Sequence, residues 1–65
     1  MSAPAAVGLG DPLLTAEQVA EHLQCSPELV YKLRRVGRLP AVKLGALYRW
    51  RPEIVRAFID AQEGR

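Results

Sequence analysis

The first helical pattern in the chain begins after a proline-rich start. Hydrophobic side chains then recur at intervals of three, four and seven positions, which places them on one face of an α-helix: Ala16, Val19, Ala20 and Leu23. Thr15 and Gln18 have the spacing of a capping box, in which each side chain accepts a hydrogen bond from the other residue's backbone amide. The pattern predicts a helix from Thr15 to Leu23 or Gln24.

A second helix is predicted immediately afterwards. Ser26 is a favoured N-cap, and Pro27 fits the first helical position, where its missing N–H costs nothing. Gly37 suits the position just past the helix end. Three aliphatic residues are expected to face inward (Leu29, Val30 and Leu33), and five polar or aromatic ones to face elsewhere (Glu28, Tyr31, Lys32, Arg34 and Arg35). Two helices joined by two or three residues are typical of a helix-turn-helix.

The stretch from Ala41 to Arg51 predicts a β-hairpin around Gly45. A three-residue loop, Gly45–Leu47, separates apolar from basic side chains cleanly, and a one-residue slip would mix them. One face would then carry Val42, Leu44, Tyr48 and Trp50, and the other Lys43, Arg49 and Arg51. In this register Lys43 lies opposite Arg49.

A third helix is predicted from Pro52, with an apolar stripe formed by Ile54, Val55, Phe58 and Ile59. The order helix, helix, hairpin, helix predicts a mainly α domain with a small β-hairpin, a winged helix-turn-helix. We assign this domain to residues 13–63. Residues 1–12 are rich in alanine, glycine and proline and show no hydrophobic period, so we expect a flexible tail.

Charge is distributed unevenly along the chain. The protein has 9 basic and 7 acidic residues, a net charge of +2. No acidic residue falls between Lys32 and Arg51, whereas seven basic ones do: Lys32, Arg34, Arg35, Arg38, Lys43, Arg49 and Arg51. A concentrated positive patch on a small domain is a candidate surface for a polyanion.

Other functional classes find little support. One cysteine and one histidine exclude an internal disulfide and make a zinc site improbable. We find no catalytic triad, phosphate-binding glycine loop or paired ligand spacing, so we expect no enzymatic activity, metal or cofactor. No apolar run approaches the ~20 residues needed to cross a bilayer. We expect a cytoplasmic protein associated with the nucleoid.

Several segments resemble the excisionase-like branch of the MerR-type winged helix-turn-helix families. They are Leu14 to Glu21, Ser26 to Leu33, Gly37 to Gly45 and Tyr48 to Trp50, so the resemblance covers about Leu13 to Ile59. Leu39-Pro40-Ala41-Val42-Lys43-Leu44-Gly45 is its most specific part. The resemblance implies double-stranded DNA as the partner, with the second helix in the major groove and the wing along the adjacent backbone.

The candidate DNA-binding residues fall into two groups. The recognition helix contributes Pro27, Glu28, Tyr31, Lys32, Arg34 and Arg35, and the wing and its approach contribute Arg38, Lys43 and Arg49. Lys43 and Arg49, opposite each other, are expected to clamp a phosphate. Tyr31 is a candidate for either a phosphate contact or core packing, and Arg51 for either a helix cap or a DNA contact. Trp50 is expected in the core.

The resemblance implies one of two roles within DNA binding. The first is an excisionase, which binds adjacent sites beside further copies of itself, bends the DNA and assists an integrase, a tyrosine recombinase, in excising a mobile element. The second is a small transcription regulator. A third alternative is a protein-interaction module with an incidental basic patch, because the wing tip carries Ala46 and Leu47 where the family often has basic residues.

Overall fold

The computed structural model describes residues 12–63, so the tail predicted for residues 1–12 lies outside the described residues except for Pro12. Three helices and a two-stranded antiparallel sheet follow one another along the chain: α1 (Ala16–Leu23), α2 (Pro27–Arg35), β1 (Val42–Leu44), β2 (Leu47–Arg49) and α3 (Pro52–Glu63). This is the predicted winged helix-turn-helix, with β1 and β2 forming the wing.

The start of each of the first two helices is fixed by the predicted cap. Thr15 Oγ1 accepts from the Gln18 amide at 3.1 Å, and Gln18 Oε1 accepts from the Thr15 amide at 2.9 Å, which completes the capping box. Ser26 Oγ accepts from the Leu29 amide at 3.3 Å, and Pro27 is the first residue of α2. These local bonds satisfy amides that lack a partner within the helix, so both predictions are confirmed.

The ends of α1 and α2 use the same backbone motif with different residues. Past α2, Gly37 has φ +83°, and the amides of Gly37 and Arg38 donate to the carbonyls of Arg34 and Leu33. This is a Schellman motif, and its left-handed residue is the predicted glycine. Past α1 the left-handed residue is Gln24, at φ 56°, where a side chain strains the backbone.

The predicted register of the wing is wrong by one residue. Val42 pairs with Arg49, Lys43 with Tyr48, and Leu44 with Leu47, so the loop is the two residues Gly45-Ala46. Gly45 has φ +63° and Ala46 does not have a positive φ, which is the pattern of a type II′ turn with glycine at the first central position. Turn geometry decided the register, at the cost of the clean separation of apolar and basic side chains.

Residues paired across a hairpin lie on the same face, so the corrected register redistributes the side chains. Lys43 lies on one face with Tyr48, and Arg49 lies on the other with Val42. Leu44 is on the Arg49 face, so the prediction that it lies beside Tyr48 and Trp50 is wrong. Because Tyr48 contacts α2, we call its side the inner face and the Arg49 side the outer face of the wing.

The core joins all the elements around Trp50, which is fully buried as predicted. Its indole Nε1 donates to the Leu39 carbonyl at 3.2 Å, and its backbone exchanges two hydrogen bonds with Leu14. The other buried side chains are Ala16, Val19, Ala20, Val30, Leu39 and Val55. The stripe of α3 packs on this core as predicted, but Leu29, expected to face inward, is exposed.

Candidate nucleic-acid interface

One side of α2 is exposed and mostly basic. Lys32 and Arg35 are exposed together with Glu28, and spacings of three and four residues put the three side chains on one side of the helix. We call this the open side of α2. Two long cations and one carboxylate on an exposed helix face can bond both phosphate oxygens and base edges.

A second side of α2 is tied to the wing by aromatic contacts. The Tyr31 ring meets the Trp50 ring edge to face at 5.8 Å and the Tyr48 ring at 6.4 Å between centroids. Such pairs stabilise by about 0.5–1.5 kcal/mol beyond the area they bury. Tyr31 is nevertheless 40% exposed, so it packs against the core and also keeps part of its ring at the surface.

Arg34 belongs to this same junction. Its guanidinium lies over the Tyr48 ring, 4.2 Å from the centroid, a cation–π contact between α2 and β2. The side chain is half-buried, and its Nε has no hydrogen-bond partner although that atom is buried. The sequence predicted Arg34 to point away from the domain. Contact with Tyr48 holds it against the wing instead.

The wing cations do not form the predicted opposed pair. Lys43 is exposed on the inner face, whereas Arg49 is half-buried on the outer face. Arg49 Nη1 also donates to the Tyr48 carbonyl at 2.8 Å, which turns the side chain back along its own strand. A two-residue clamp on one phosphate therefore has no geometric basis, although each residue stays a separate candidate contact.

The remaining candidates lie at the edges of the basic window. Pro27 begins α2 and is half-buried, while Arg38 is exposed between α2 and the wing. Arg51 is exposed just before α3, and its carbonyl accepts from the amides of Ile54 and Val55. That contact is made by the Arg51 backbone, and the side chain itself is exposed.

A family model described as a helix-turn-helix domain matches residues 13–63. The chain belongs to this helix-turn-helix family. A search of curated proteins and a search of solved structures found no match to the chain. Membership supports double-stranded DNA as the partner of this helix-turn-helix domain and sequence-specific binding as its function.

The helix-turn-helix domain thus brings part of the predicted site together. Glu28, Lys32 and Arg35 share the open side of α2, and Tyr31 and Arg34 form the junction with the wing. Sequence reasoning missed the part played by Tyr48, which it placed on the apolar face of the hairpin beside Leu44. The signal that could have found it is the Gly45-Ala46 pair, since glycine followed by any residue favours a two-residue II′ loop.

Within residues 12–63, no helix combines the length and the hydropathy that spanning a bilayer requires. No group of three or more His, Cys, Asp or Glu side chains in that range could hold a metal ion.

Proposed function

We propose that this helix-turn-helix protein is of the excisionase type: it binds adjacent sites on double-stranded DNA, bends the duplex and assists an integrase in excising a mobile element. The observation that carries the DNA-binding part is the open side of α2, where Lys32 and Arg35 are exposed beside Glu28. The excisionase part rests on the resemblance of the segment from Leu39 to Gly45 and the surrounding motifs.

Affinity in this proposal comes mainly from phosphate contacts, and discrimination from residues between Pro27 and Arg35. If about four phosphates are neutralised, affinity falls roughly a hundredfold between about 50 and 200 mM salt. Glu28 offers a carboxylate that can accept from a cytosine amino group. A flat response to salt in a DNA titration contradicts this mechanism.

The small size of the domain supports binding by several copies. Single modules bury about 600–1,000 Å² of protein surface on DNA, at or below the low end of specific interfaces. Tight binding then requires neighbouring copies or a second protein. We expect a footprint on the DNA flanking the gene to show several adjacent protected sites, and permuted fragments to reveal a bend. One isolated site bound with nanomolar affinity contradicts the proposal.

The basic surface itself is tested by charge reversal. Arg35→Glu combined with Lys43→Glu should abolish binding at physiological salt, because it replaces attraction to phosphate by repulsion. Arg56→Glu is the control, since Arg56 is exposed on α3, outside the basic window. If DNA binding survives the double change, the interface lies elsewhere and a protein-interaction module becomes the better description.

The same DNA-binding surface would serve a small transcription regulator. An excision assay separates the two roles: linear-to-circle conversion of a mobile element carrying the gene and its integrase should depend on this protein. Unchanged excision after deletion of the gene, with altered transcription from a neighbouring promoter, favours the regulator.

A further inference from the structure

A second cationic surface lies where α2 meets the wing, apart from the open side of α2. At about 100° per residue, the side of α2 that carries Tyr31 and Arg34 is turned roughly 100° from the open side. A helix whose open side faces base edges in the major groove turns its flanks towards the phosphate strands that border the groove. A cation on the wing side of α2 is therefore placed for a phosphate and not for a base.

Arg34 is held at this surface by the Tyr48 ring. Its guanidinium carbon lies 4.2 Å from the ring centroid, and the Tyr31 ring supports the same ring edge to face. Attraction between a cation and a ring face uses none of the hydrogen bonds of the guanidinium. Among residues 12–63 the guanidinium makes no hydrogen bond or ion pair, and of its nitrogens only Nε is fully buried. The two Nη groups are therefore accessible donors.

The corrected register of the wing brings Lys43 to the same ring. Lys43 is paired with Tyr48 across the hairpin, and paired side chains begin about 4.5–5.5 Å apart on one face. Lys43 is exposed and, within the described part of the chain, has no acidic partner. Tyr48 thus has a guanidinium over its face and a lysine side chain beside it.

The contact between Arg34 and Tyr48 would by itself only fasten the wing to α2. Two observations point beyond fastening, namely the accessible Nη groups of Arg34 and the second cation, Lys43, on the same inner face. No acidic residue lies between Lys32 and Arg51 to neutralise them. Two cations that approach one ring from different elements, without a carboxylate between them, attract an anion into the space they share.

We propose that Arg34 and Lys43 bind the same phosphate of the DNA backbone, and that Tyr48 is a positioning residue that holds the Arg34 guanidinium for it. Arg34 supplies two parallel N–H donors to two phosphate oxygens, and Lys43 adds a point charge. Because the ring holds the guanidinium before DNA arrives, less side-chain freedom is lost on binding. This pair replaces the clamp of Lys43 with Arg49 that the sequence predicted. It rests on the proposed DNA binding and names the residues that share one phosphate.

Single methylphosphonate linkages test the shared phosphate, because each removes one backbone charge and leaves the bases unchanged. A series of duplexes carries the footprinted site, each with one such linkage at a different position. For the wild-type protein, the linkage at the shared phosphate should weaken binding about tenfold or more. Arg34→Met and Lys43→Met should each weaken binding to the unmodified duplex. In both variants the loss at that one linkage should be smaller, and in the double variant it should vanish.

Arg56→Met is the matched control, because Arg56 is exposed on α3 outside the basic window, and it should leave the losses at every linkage unchanged. Smaller losses at two different linkages would mean that Arg34 and Lys43 bind separate phosphates, which overturns the shared site. Unchanged losses for Arg34→Met would leave Arg34 a packing residue and overturn it equally. If the wild-type protein binds no duplex at all, the DNA-binding proposal fails together with the site.

Tyr48 is tested by two substitutions of its ring. Tyr48→Phe keeps the ring face and should bind the whole series of duplexes as the wild-type protein does. Tyr48→Leu keeps both cations but removes the ring, so the loss at the shared linkage should shrink while the other linkages keep theirs. Weaker binding with the same loss at every linkage, or an equal effect of Tyr48→Phe, contradicts the positioning role.

A further variant covers the possibility that Arg34→Met does not fold, which urea titration reveals. Arg34→Lys keeps a long stem and the charge but cannot donate two parallel N–H groups. It should also shrink the loss at the shared linkage, by less than Arg34→Met. A loss as large as that of the wild-type protein would mean that charge alone acts there, and would overturn the paired donation by Arg34.

Discussion

Helix α2 and the wing are both basic in sequence, yet they present their charge differently. On α2, Lys32 and Arg35 emerge together on one open side. On the wing, Lys43 and Arg49 lie on opposite faces, and Arg49 is turned back to a backbone carbonyl. A helix brings cations spaced by three or four residues to one side, whereas strand side chains alternate between two faces. The register of a hairpin therefore decides whether cations on its two strands share a face. Charge density along a sequence is thus not charge density on a surface.

The largest expected effect concerns Trp50, the buried residue against which α2 and the wing both pack. Trp50→Ala removes a fully buried ring that contacts Tyr31 of α2 and bonds Leu39. We expect a loss of about 3–5 kcal/mol, comparable with the whole stability of a small domain. Circular dichroism and urea titration should show an unfolded chain. Leu47→Ala, at an exposed site, serves as the control, and an unchanged urea midpoint for the Trp50 variant contradicts the assigned core.

Next in size is the contribution of the open side of α2 to DNA binding. Lys32→Ala with Arg35→Ala should lower the slope of log affinity against log salt by about two, one for each lost phosphate contact. Arg56→Ala should leave the slope unchanged. The measurement is a titration of labelled duplex at several salt concentrations. An unchanged slope in the double variant means that these cations do not touch phosphate.

The wing is tested by comparing its two cations individually. Lys43→Ala should lower the salt slope by about one, because Lys43 is exposed on the face turned towards α2. Arg49→Ala should lower it much less, because that guanidinium bonds the Tyr48 carbonyl. Each variant is the other's matched control. Equal losses would mean that the Arg49 guanidinium leaves the Tyr48 carbonyl and contacts phosphate as Lys43 does.

A smaller effect is expected where the two regions meet. Arg34 lies 4.2 Å over the Tyr48 ring, so Tyr48→Leu and Arg34→Met should not be additive in urea unfolding. The double-mutant cycle isolates a coupling of about 0.5–2 kcal/mol. A cycle of Arg38→Met with Tyr48→Leu should give no coupling. Additive effects for the first pair would mean that the contact contributes nothing to holding the wing.

The smallest expected change is a gain at the turn before α2. Gln24 is at φ 56°, and relieving a left-handed side chain stabilises by about 1 kcal/mol. Gln24→Gly should therefore raise the urea midpoint slightly. Gly37→Ala is the opposite control, because alanine there acquires the same strain at φ +83°. A lower midpoint for Gln24→Gly would indicate that its side chain makes a stabilising contact.

Prediction from sequence succeeded where the signals were local. The capping box at Thr15, the Ser26-Pro27 start and the Gly37 end depend on residues within four positions of one another, and all three are confirmed. The predicted register of the wing was wrong because two local criteria competed. Separation of polar and apolar faces favoured a three-residue loop, and the Gly45-Ala46 turn favoured two residues. The two-residue turn prevailed because only a few backbone conformations can join two paired strands.

By itself the sequence determined the order of the elements, their caps, the basic window and the burial of Trp50, since each follows from local bonding or from the hydrophobic period. Only the tertiary structure decided which cations share a surface. It put Arg34 over Tyr48, separated Lys43 from Arg49, and left Leu44 and Leu47 exposed at the tip of the wing. These relations depend on how distant elements pack, and a one-residue difference in register reverses the face on which every strand side chain lies.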